Sequence, residues 1–262
     1  FLVFDEADRM LDMGFKDEIK AVISKLPKRD KQPRQTLLFS ATLSDNIYKF
    51  SKNLLSSPEL IEVDQRNSTA EDVEQIVYNC DPDRKLAIVT HLIKSSNWSQ
   101  VMLFSRTKQG ADDLAKKLCS DGIQSEAIHA DRSQTVREKA LAEFKKGCVQ
   151  VLVATDVAAR GVDINQLACV INYEMPYKAE DYIHRIGRTG RAGNKGTAIS
   201  LLVEEENYLL EEIEALLDER LPQQWLQGFE PDPLRVIDVS RKNSKSAQKR
   251  RAKQRALGKK RR

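Results

Sequence analysis

Short runs of apolar, mostly β-branched residues alternate with helical patterns along most of this chain. Residues 149–154 and 169–173 are almost entirely apolar, which is typical of strands that are covered on both faces. Residues 136–144 and 180–186, in contrast, have the spacing of helices. Strands that alternate with helices predict an α/β fold in which a parallel sheet carries helices on both sides. Any ligand is then expected along the edge where the carboxyl ends of the strands meet.

A polar segment divides this alternation into two blocks. Residues 65–72 have no apolar period, and we interpret them as an interdomain linker. Residues 1–64 and 73–235 then form two α/β lobes, which is compatible with a length of 262 residues. Residues 236–262 follow as a separate tail.

The tail has a strongly basic composition. Residues 241–262 contain 12 Lys or Arg and no acidic residue, whereas residues 1–240 contain 31 basic and 39 acidic residues. Because so few tail residues are apolar, burial cannot offset their ordering entropy, and we expect a disordered basic C-terminal tail. Such a tail can bind a polyanion by releasing counterions, or it can keep the protein soluble. Both interpretations stay open at this point.

Composition also excludes several classes of protein. No run approaches the roughly 18 apolar residues of a membrane-spanning helix, so we expect no membrane partner. The four cysteines include no CxxC pair, which argues against a disulfide scaffold or a zinc module and favours a cytoplasmic location. The chain opens at Phe1 in an apolar run without methionine, and we interpret this start as a truncation.

Two small motifs follow the first apolar runs. The acidic tetrapeptide at residues 5–8 (Asp-Glu-Ala-Asp) comes directly after one run, and residues 40–42 (Ser-Ala-Thr) come directly after the next. Acidic side chains at a strand end can hold Mg²⁺ and orient a water molecule that attacks a phosphate. Acidic and hydroxyl residues at such places are also common helix N-caps, so either motif alone is weak evidence for a site.

Two longer motifs lie in the second block. Residues 155–163 (Thr-Asp-Val-Ala-Ala-Arg-Gly-Val-Asp) place hydroxyl, carboxylate and guanidinium groups just after an apolar run. Residues 184–191 (His-Arg-Ile-Gly-Arg-Thr-Gly-Arg) place arginines at every third position, which suits a phosphate or carboxylate partner because each guanidinium can form two parallel hydrogen bonds. An amphipathic surface helix is the alternative, but Gly187 and Gly190 weigh against it because glycine lowers helix stability.

Together, these motifs resemble those of the DEAD-box RNA helicases of superfamily 2. The resemblance runs from Phe1 to about Arg235, in the order and at the spacing of that family. It includes residues 103–107 as motif IV, and Gln134 with Arg137 as the QxxR element. The resemblance implies an α/β fold of two RecA-like parallel-sheet lobes, of which the first is incomplete here.

Within that family, the chain most resembles the bacterial RhlE-type branch. The residues that carry this finer resemblance are 97–100 and 228–233. One departure is visible, because Ala130 stands where the family usually has glycine. The added methyl group could weaken a contact with phosphate, which puts the role of this loop in doubt.

By this resemblance, the protein is an ATP-dependent RNA helicase that couples ATP hydrolysis to local strand separation or to remodelling of RNA–protein complexes. Asp5 would hold Mg²⁺ through water, and Glu6 would orient or deprotonate the water that attacks the γ-phosphate. Asp163 would contact the ribose. Arg188 and Arg191 would bind the phosphates as arginine fingers, which contribute about 10³–10⁵ in rate in related NTPases.

The resemblance also implies coupling residues and RNA contacts. Four residues would couple the two lobes, namely Asp8, Ser40, Thr42 and His184. Five residues would contact RNA, namely Arg106, Thr107, Gln134, Arg137 and Thr155. These contacts would be with phosphate and sugar, which position a strand without reading its bases. The sequence therefore does not identify the RNA, nor protein partners such as ribosome-assembly or RNA-decay factors.

The 262 residues contain no GxxxxGK[ST] sequence, the loop that cradles nucleotide phosphates. The resemblance places that loop upstream of Phe1, so we expect this chain alone to hydrolyse ATP poorly. The main alternative is a non-enzymatic RNA-binding module made of the second lobe and the basic tail. Glu6 and Arg191 favour the helicase, because a binding module has no use for them. A DNA-directed helicase of the same superfamily is the third interpretation, and Asp8 weighs against it.

Overall fold

A computed structural model gives the fold of the chain. It describes residues 1–27, 34–40, 45–61, 73–160, 162, 164, 166–190 and 195–235. The chain divides into two compact units, Phe1–Asp64 and Gln65–Arg262.

The first unit contains a two-stranded parallel sheet. Strand β1 (Leu2–Phe4) pairs with β2 (Thr36–Leu38) in the register Leu2 to Thr36. In the described part of this unit, three helices accompany the sheet, namely α1 (Ala7–Asp12), α2 (Lys16–Ser24) and α3 (Asp45–Leu54). The small core centres on Phe4 and Phe50, whose rings meet edge to face with centroids 6.3 Å apart.

The second unit contains a seven-stranded sheet whose pairs are all parallel. Its strands are β3 (Val73–Asn79), β4 (Val101–Phe104), β5 (Ser125–Ile128), β6 (Val151–Ala154), β7 (Cys169–Asn172), β8 (Gly196–Leu202) and β9 (Gln223–Gln224). They lie in the order β5-β6-β4-β7-β8-β3-β9. Strands β4, β6 and β7 are buried along their whole length, as expected for central strands covered on both faces.

Helices follow most of these strands. They are α4 (Lys85–Ser95), α5 (Lys108–Ser120), α6 (Gln134–Lys145), α7 (Asp156–Ala159), α8 (Ala179–Ile186) and α9 (Asn207–Leu217), with a 3₁₀ turn at Glu204–Glu206. Three groups of buried apolar side chains fill the spaces between these helices and the sheet. The carboxyl ends of β4, β6 and β7 therefore meet at one edge, and each leads into a segment that carries candidate site residues.

The α/β prediction with parallel sheets is confirmed. Sequence patterning also predicts a strand at residues 58–63, and this prediction is wrong for its described part, because residues 58–61 form no strand. It predicts neither β3 nor β9. The predicted linker at 65–72 and the basic tail at 236–262 lie outside the described residues. No helix in the described part of the chain is long and apolar enough to cross a membrane.

Candidate functional site

The acidic motif of the first unit forms a tight turn between β1 and α1. Asp5 is exposed, and its Oδ1 accepts a hydrogen bond of 2.9 Å from the backbone N–H of Glu6. Glu6 adopts a left-handed conformation (φ 51°, ψ 47°), which few non-glycine residues occupy. Its carbonyl still accepts from the N–H groups of Arg9 and Met10, so α1 begins directly after it. The strained residue is thus the one with the predicted catalytic carboxylate, a pattern common at functional sites.

The second motif of this unit begins beside that turn. The N–H of Phe39 donates to the carbonyl of Phe4, and the N–H of Ala7 donates to the carbonyl of Phe39. Ser40 follows Phe39 directly, so this backbone pairing holds the start of the second motif beside the acidic turn, at one end of the two-stranded sheet. The sequence predicts both motifs at strand ends, and Ser40 is the part of the second motif that the structure describes.

In the second unit, a buried arginine organises the carboxyl edge of the sheet. Arg185 on α8 forms a bidentate ion pair with Asp156, the first residue of α7, at 2.6 and 2.9 Å. Its Nη1 donates to Asn172 Oδ1 at 3.1 Å and to the carbonyl of Glu174 at 2.7 Å. The guanidinium also lies 5.0 Å from the ring centroid of Phe104. One side chain therefore joins the ends of β4, β6 and β7.

Other basic side chains of the two longer motifs lie around this arginine. The guanidinium of Arg160 forms an ion pair with Asp181, and its Nη2 is 3.3 Å from Nδ1 of His184. Arg188 donates from Nη1 to the carbonyl of Val162 at 3.1 Å. Arg160, His184, Arg185 and Arg188 line one surface depression together with Asp156. The structure thus brings His184 and Arg188 together within a cationic cluster, and their roles in coupling and in phosphate binding stay predictions.

Three predicted RNA contacts also converge. Arg137 on α6 donates from Nη1 to Gln134 Oε1 at 3.3 Å and from Nη2 to the carbonyl of Ala158 on α7 at 3.4 Å. Thr155 immediately precedes α7, and its carbonyl accepts from the N–H groups of Ala158 and Ala159. The QxxR element and the start of α7 therefore form one continuous surface at the ends of β5 and β6.

Arg106 and Thr107 have structural partners as well. Arg106 is mostly buried and forms ion pairs with Glu174, at 3.4 Å, and with Glu206. Thr107 is the N-cap of α5, where its hydroxyl accepts a hydrogen bond of 2.9 Å from the N–H of Gly110. A role for either residue toward RNA stays a prediction.

The carboxylate of Glu174 is held in its charged form. Burial alone would raise the pKa of Glu174. The carboxylate accepts hydrogen bonds from the N–H of Arg106 and from the hydroxyl of Ser105, and it lies near the Arg106 guanidinium charge. These interactions outweigh burial and lower the pKa of Glu174. Nearby, burial lowers the pKa of Lys85, although the carboxylate of Glu206, 3.7 Å away, opposes that shift. This part of the sheet edge is therefore a paired, largely desolvated charge network.

A glycine contact fixes the end of the arginine motif. A Cβ atom on Gly196, the first residue of β8, would overlap Thr189 Oγ1 and come within 2.5 Å of the N of Gly190. The hydroxyl of Thr189 itself donates to the carbonyl of Leu167. Glycine at position 196 is thus required for the motif to lie against β8.

Three predicted site residues, Thr42, Asp163 and Arg191, lie outside the described residues. Their roles stay predictions. The described part of the chain contains no group of three or more His, Cys, Asp or Glu side chains placed to hold a metal ion by themselves.

Sequence reasoning missed the organising role of Arg185 and its neighbours Glu174 and Glu206. Helical periodicity contained a signal for Arg185, because it shares a face of α8 with the buried Tyr182 and Ile186. A charged residue on an apolar helix face predicts a buried ion pair. No comparable signal marks Glu174 or Glu206.

Comparison with known proteins agrees with this geometry. Residues 1–50 match the family model "DEAD/DEAH box helicase", and residues 84–193 match "Helicase conserved C-terminal domain". A solved chain of E. coli SrmB, in a complex with RraA, is 35% identical and superimposes with a TM-score of 0.59 over 63% of this chain and 98% of its own. This chain belongs to the DEAD-box RNA helicase family. The implied RecA-like fold is thereby confirmed.

Other relatives of this DEAD-box chain are longer. RhlB of Pseudomonas putida, an ATP-dependent RNA helicase, is 41% identical over 84% of this chain and 55% of its own length. CshA of Geobacillus kaustophilus is 41% identical over 81% of this chain and 45% of its own. The chain thus spans about half the length of these curated relatives. S. cerevisiae Dbp5, solved with RNA and ADP BeF3, is 30% identical, with a TM-score of 0.76 over 94% of this chain and 62% of its own. The RhlE-type branch stays a prediction.

Proposed function

We propose that the protein containing this chain is an ATP-dependent RNA helicase, in which RNA stimulates ATP hydrolysis and hydrolysis accompanies local strand separation. The observation that carries the proposal is the acidic turn at Asp5 and Glu6, with its left-handed Glu6, in a chain whose second unit carries the Arg160–His184–Arg188 cluster. A module that only binds RNA needs the cationic cluster and has no use for a carboxylate residue held in the left-handed backbone conformation.

The residues of the acidic turn fit a magnesium–nucleotide complex. Mg²⁺ in nucleotide enzymes is bound by one or two carboxylates, by phosphate oxygens and by water, so it needs no cage of protein ligands. Asp5, exposed beside the backbone of Glu6, would hold the ion. The ion would neutralise charge on the phosphates, and the Glu6 carboxylate would orient the attacking water. Arg188 and Arg191 would stabilise the charge of the transition state.

RNA would bind along the ends of β5 and β6. Gln134 and Arg137 present amide and guanidinium groups there, next to the start of α7 at the buried Thr155. Such groups bind phosphate and sugar, so we expect little sequence specificity. The similar protein Dbp5 was solved with RNA bound, which supports RNA as the ligand.

The decisive test is RNA-stimulated ATP hydrolysis by the full-length natural protein with Glu6→Gln. Loss of a positioned general base lowers a rate about 10²–10⁴-fold, so we expect a loss of that order with RNA binding retained. Glu18→Gln, which changes an exposed carboxylate on α2, is the matched control. Arg191→Ala should likewise abolish turnover while RNA still binds.

Two outcomes would contradict the proposal. Equal rates of ATP hydrolysis by Glu6→Gln and Glu18→Gln would show that Glu6 takes no part in the reaction. RNA binding by a full-length wild-type protein that hydrolyses no ATP would favour the non-enzymatic RNA-binding module.

A further inference from the structure

Tyr177 has an unusual setting at the carboxyl edge of the second sheet. It lies between β7 and α8 and is 63% exposed. The guanidinium carbon of Arg106 lies 4.7 Å from the centroid of its ring, so one ring face is covered. The exposed area therefore falls on the ring edge and on the opposite face.

The position of Arg106 under the Tyr177 ring is fixed by ion pairs. The side chain of Arg106 is only 15% exposed, and its ion pairs with Glu174 and Glu206 hold the guanidinium plane in place. Tyrosine has only two side-chain torsions, so an aromatic ring held on one face loses little entropy when a second planar group stacks on the other. The arrangement is preorganised for stacking.

Tyr177 also flanks the proposed path of RNA. Arg106 is followed by Thr107 and Lys108, and the ammonium group of Lys108 pairs with the carboxylate of Asp131 in the segment after β5. Gln134 begins α6 three residues later. Tyr177 thus lies at one end of a row of polar groups that runs from the end of β7 past the ends of β4 and β6 to the end of β5.

We infer that Tyr177 is a stacking platform for one unpaired base of the bound RNA strand. The inference rests on the proposed function and adds a base contact to contacts that otherwise involve phosphate and sugar. An aromatic ring accepts any base, so the contact distinguishes an unpaired strand from a duplex, in which the bases stack on each other, without reading sequence.

The test compares affinities of the full-length protein for a single-stranded oligouridylate and for a duplex of equal length. Tyr177→Ala should weaken single-strand binding about five-fold or more and leave duplex binding within about two-fold, while Tyr177→Phe stays close to wild type. Trp225→Ala, which removes a 67% exposed aromatic ring beside β9, is the matched control and should bind like wild type. The slope of log affinity against log salt should not change in Tyr177→Ala, because stacking releases no counterion.

An oligouridylate with a single abasic nucleotide, moved along the strand, locates the contact. At one position of the abasic nucleotide, the affinity of the wild type should fall by about as much as Tyr177→Ala lowers affinity for the intact strand. The same abasic strand should bind Tyr177→Ala no more weakly than the intact strand does. Equal single-strand affinity of wild type and Tyr177→Ala would overturn the inference. That result is also expected if the exposed ring binds a protein partner and not RNA. An equal loss for duplex and single strand would also overturn it, because it would reveal disruption of Arg106. Failure of the wild type to bind any RNA would refute the proposed function as well.

Discussion

The guanidinium of Arg185 and the carboxylate of Asp156 form two parallel hydrogen bonds, with Nε 2.6 Å from Oδ1 and Nη2 2.9 Å from Oδ2. The arginine side chain is 1% exposed and that of Asp156 is 21% exposed. Because desolvating a guanidinium is costly, this geometry persists only with its partner in place. The pair therefore ties α7 to α8, and with them the two longest motifs of the second unit.

Removing the arginine should destabilise the second unit. Arg185→Met keeps much of the volume but leaves the Asp156 carboxylate without its partner, so the free energy of unfolding should fall by about 3–5 kcal/mol. Lys139→Met, in an exposed pair with Glu143 at 3.8 Å, is the control and should change it by less than about 0.5 kcal/mol. Urea denaturation of the full-length protein measures both. Equal stability of the two variants would show that the pair is not needed.

The close approach at Gly196 predicts a strong effect of one methyl group. Gly196→Ala forces the new Cβ into Thr189 Oγ1 and toward the N of Gly190, so we expect destabilisation by about 1–3 kcal/mol through overpacking. Thr197→Ala, at the next and only half-buried position of β8, serves as the control. A Gly196→Ala melting temperature equal to that of the control would show that the backbone yields without cost.

The lowered pKa of Glu174 makes stability depend on pH. A carboxyl group with a folded-state pKa below its ordinary value of 4.5 stabilises the fold above that pH, and this contribution is lost as pH falls through the lowered pKa. Glu174→Gln should therefore be less stable than wild type at neutral pH, and the difference should shrink in acid. Glu211→Gln, an exposed position on α9, should follow the wild-type profile. The measurement is the free energy of unfolding of wild type and both variants from neutral to acid pH. A difference between wild type and Glu174→Gln that does not vary with pH would contradict the prediction.

The basic tail should contribute to RNA affinity without reading sequence. Deleting residues 241–262 removes 12 positive charges, so RNA should bind more weakly and its affinity should depend less steeply on salt. A Gly/Ser segment of equal length in place of the tail controls for its bulk. Unchanged affinity and unchanged salt dependence would return the tail to a role in solubility.

Much of the fold was predictable because its signals are local. The apolar runs at 149–154 and 169–173 gave β6 and β7 to within two residues. The helical spacing of 136–144 and 180–186 gave α6 and α8 equally closely. Strand β9 has only two residues, and β3 mixes buried and exposed positions near a polar segment, so neither shows a clear pattern.

The sequence by itself determined the parallel α/β architecture, the strand-end position of the motifs at 5–8, 40–42 and 155–163, and the family resemblance, since all of these depend on neighbouring residues. Only the tertiary structure decided which charges meet. Arg106 pairs with Glu174, 68 residues away, and with Glu206, 100 residues away, while Arg185 pairs with Asp156, 29 residues before it. The physical reason is that these ion pairs form between residues at strand ends that lie side by side in the sheet. The strand order β6-β4-β7-β8 sets which ends are neighbours, and local hydrophobic periodicity does not predict that order.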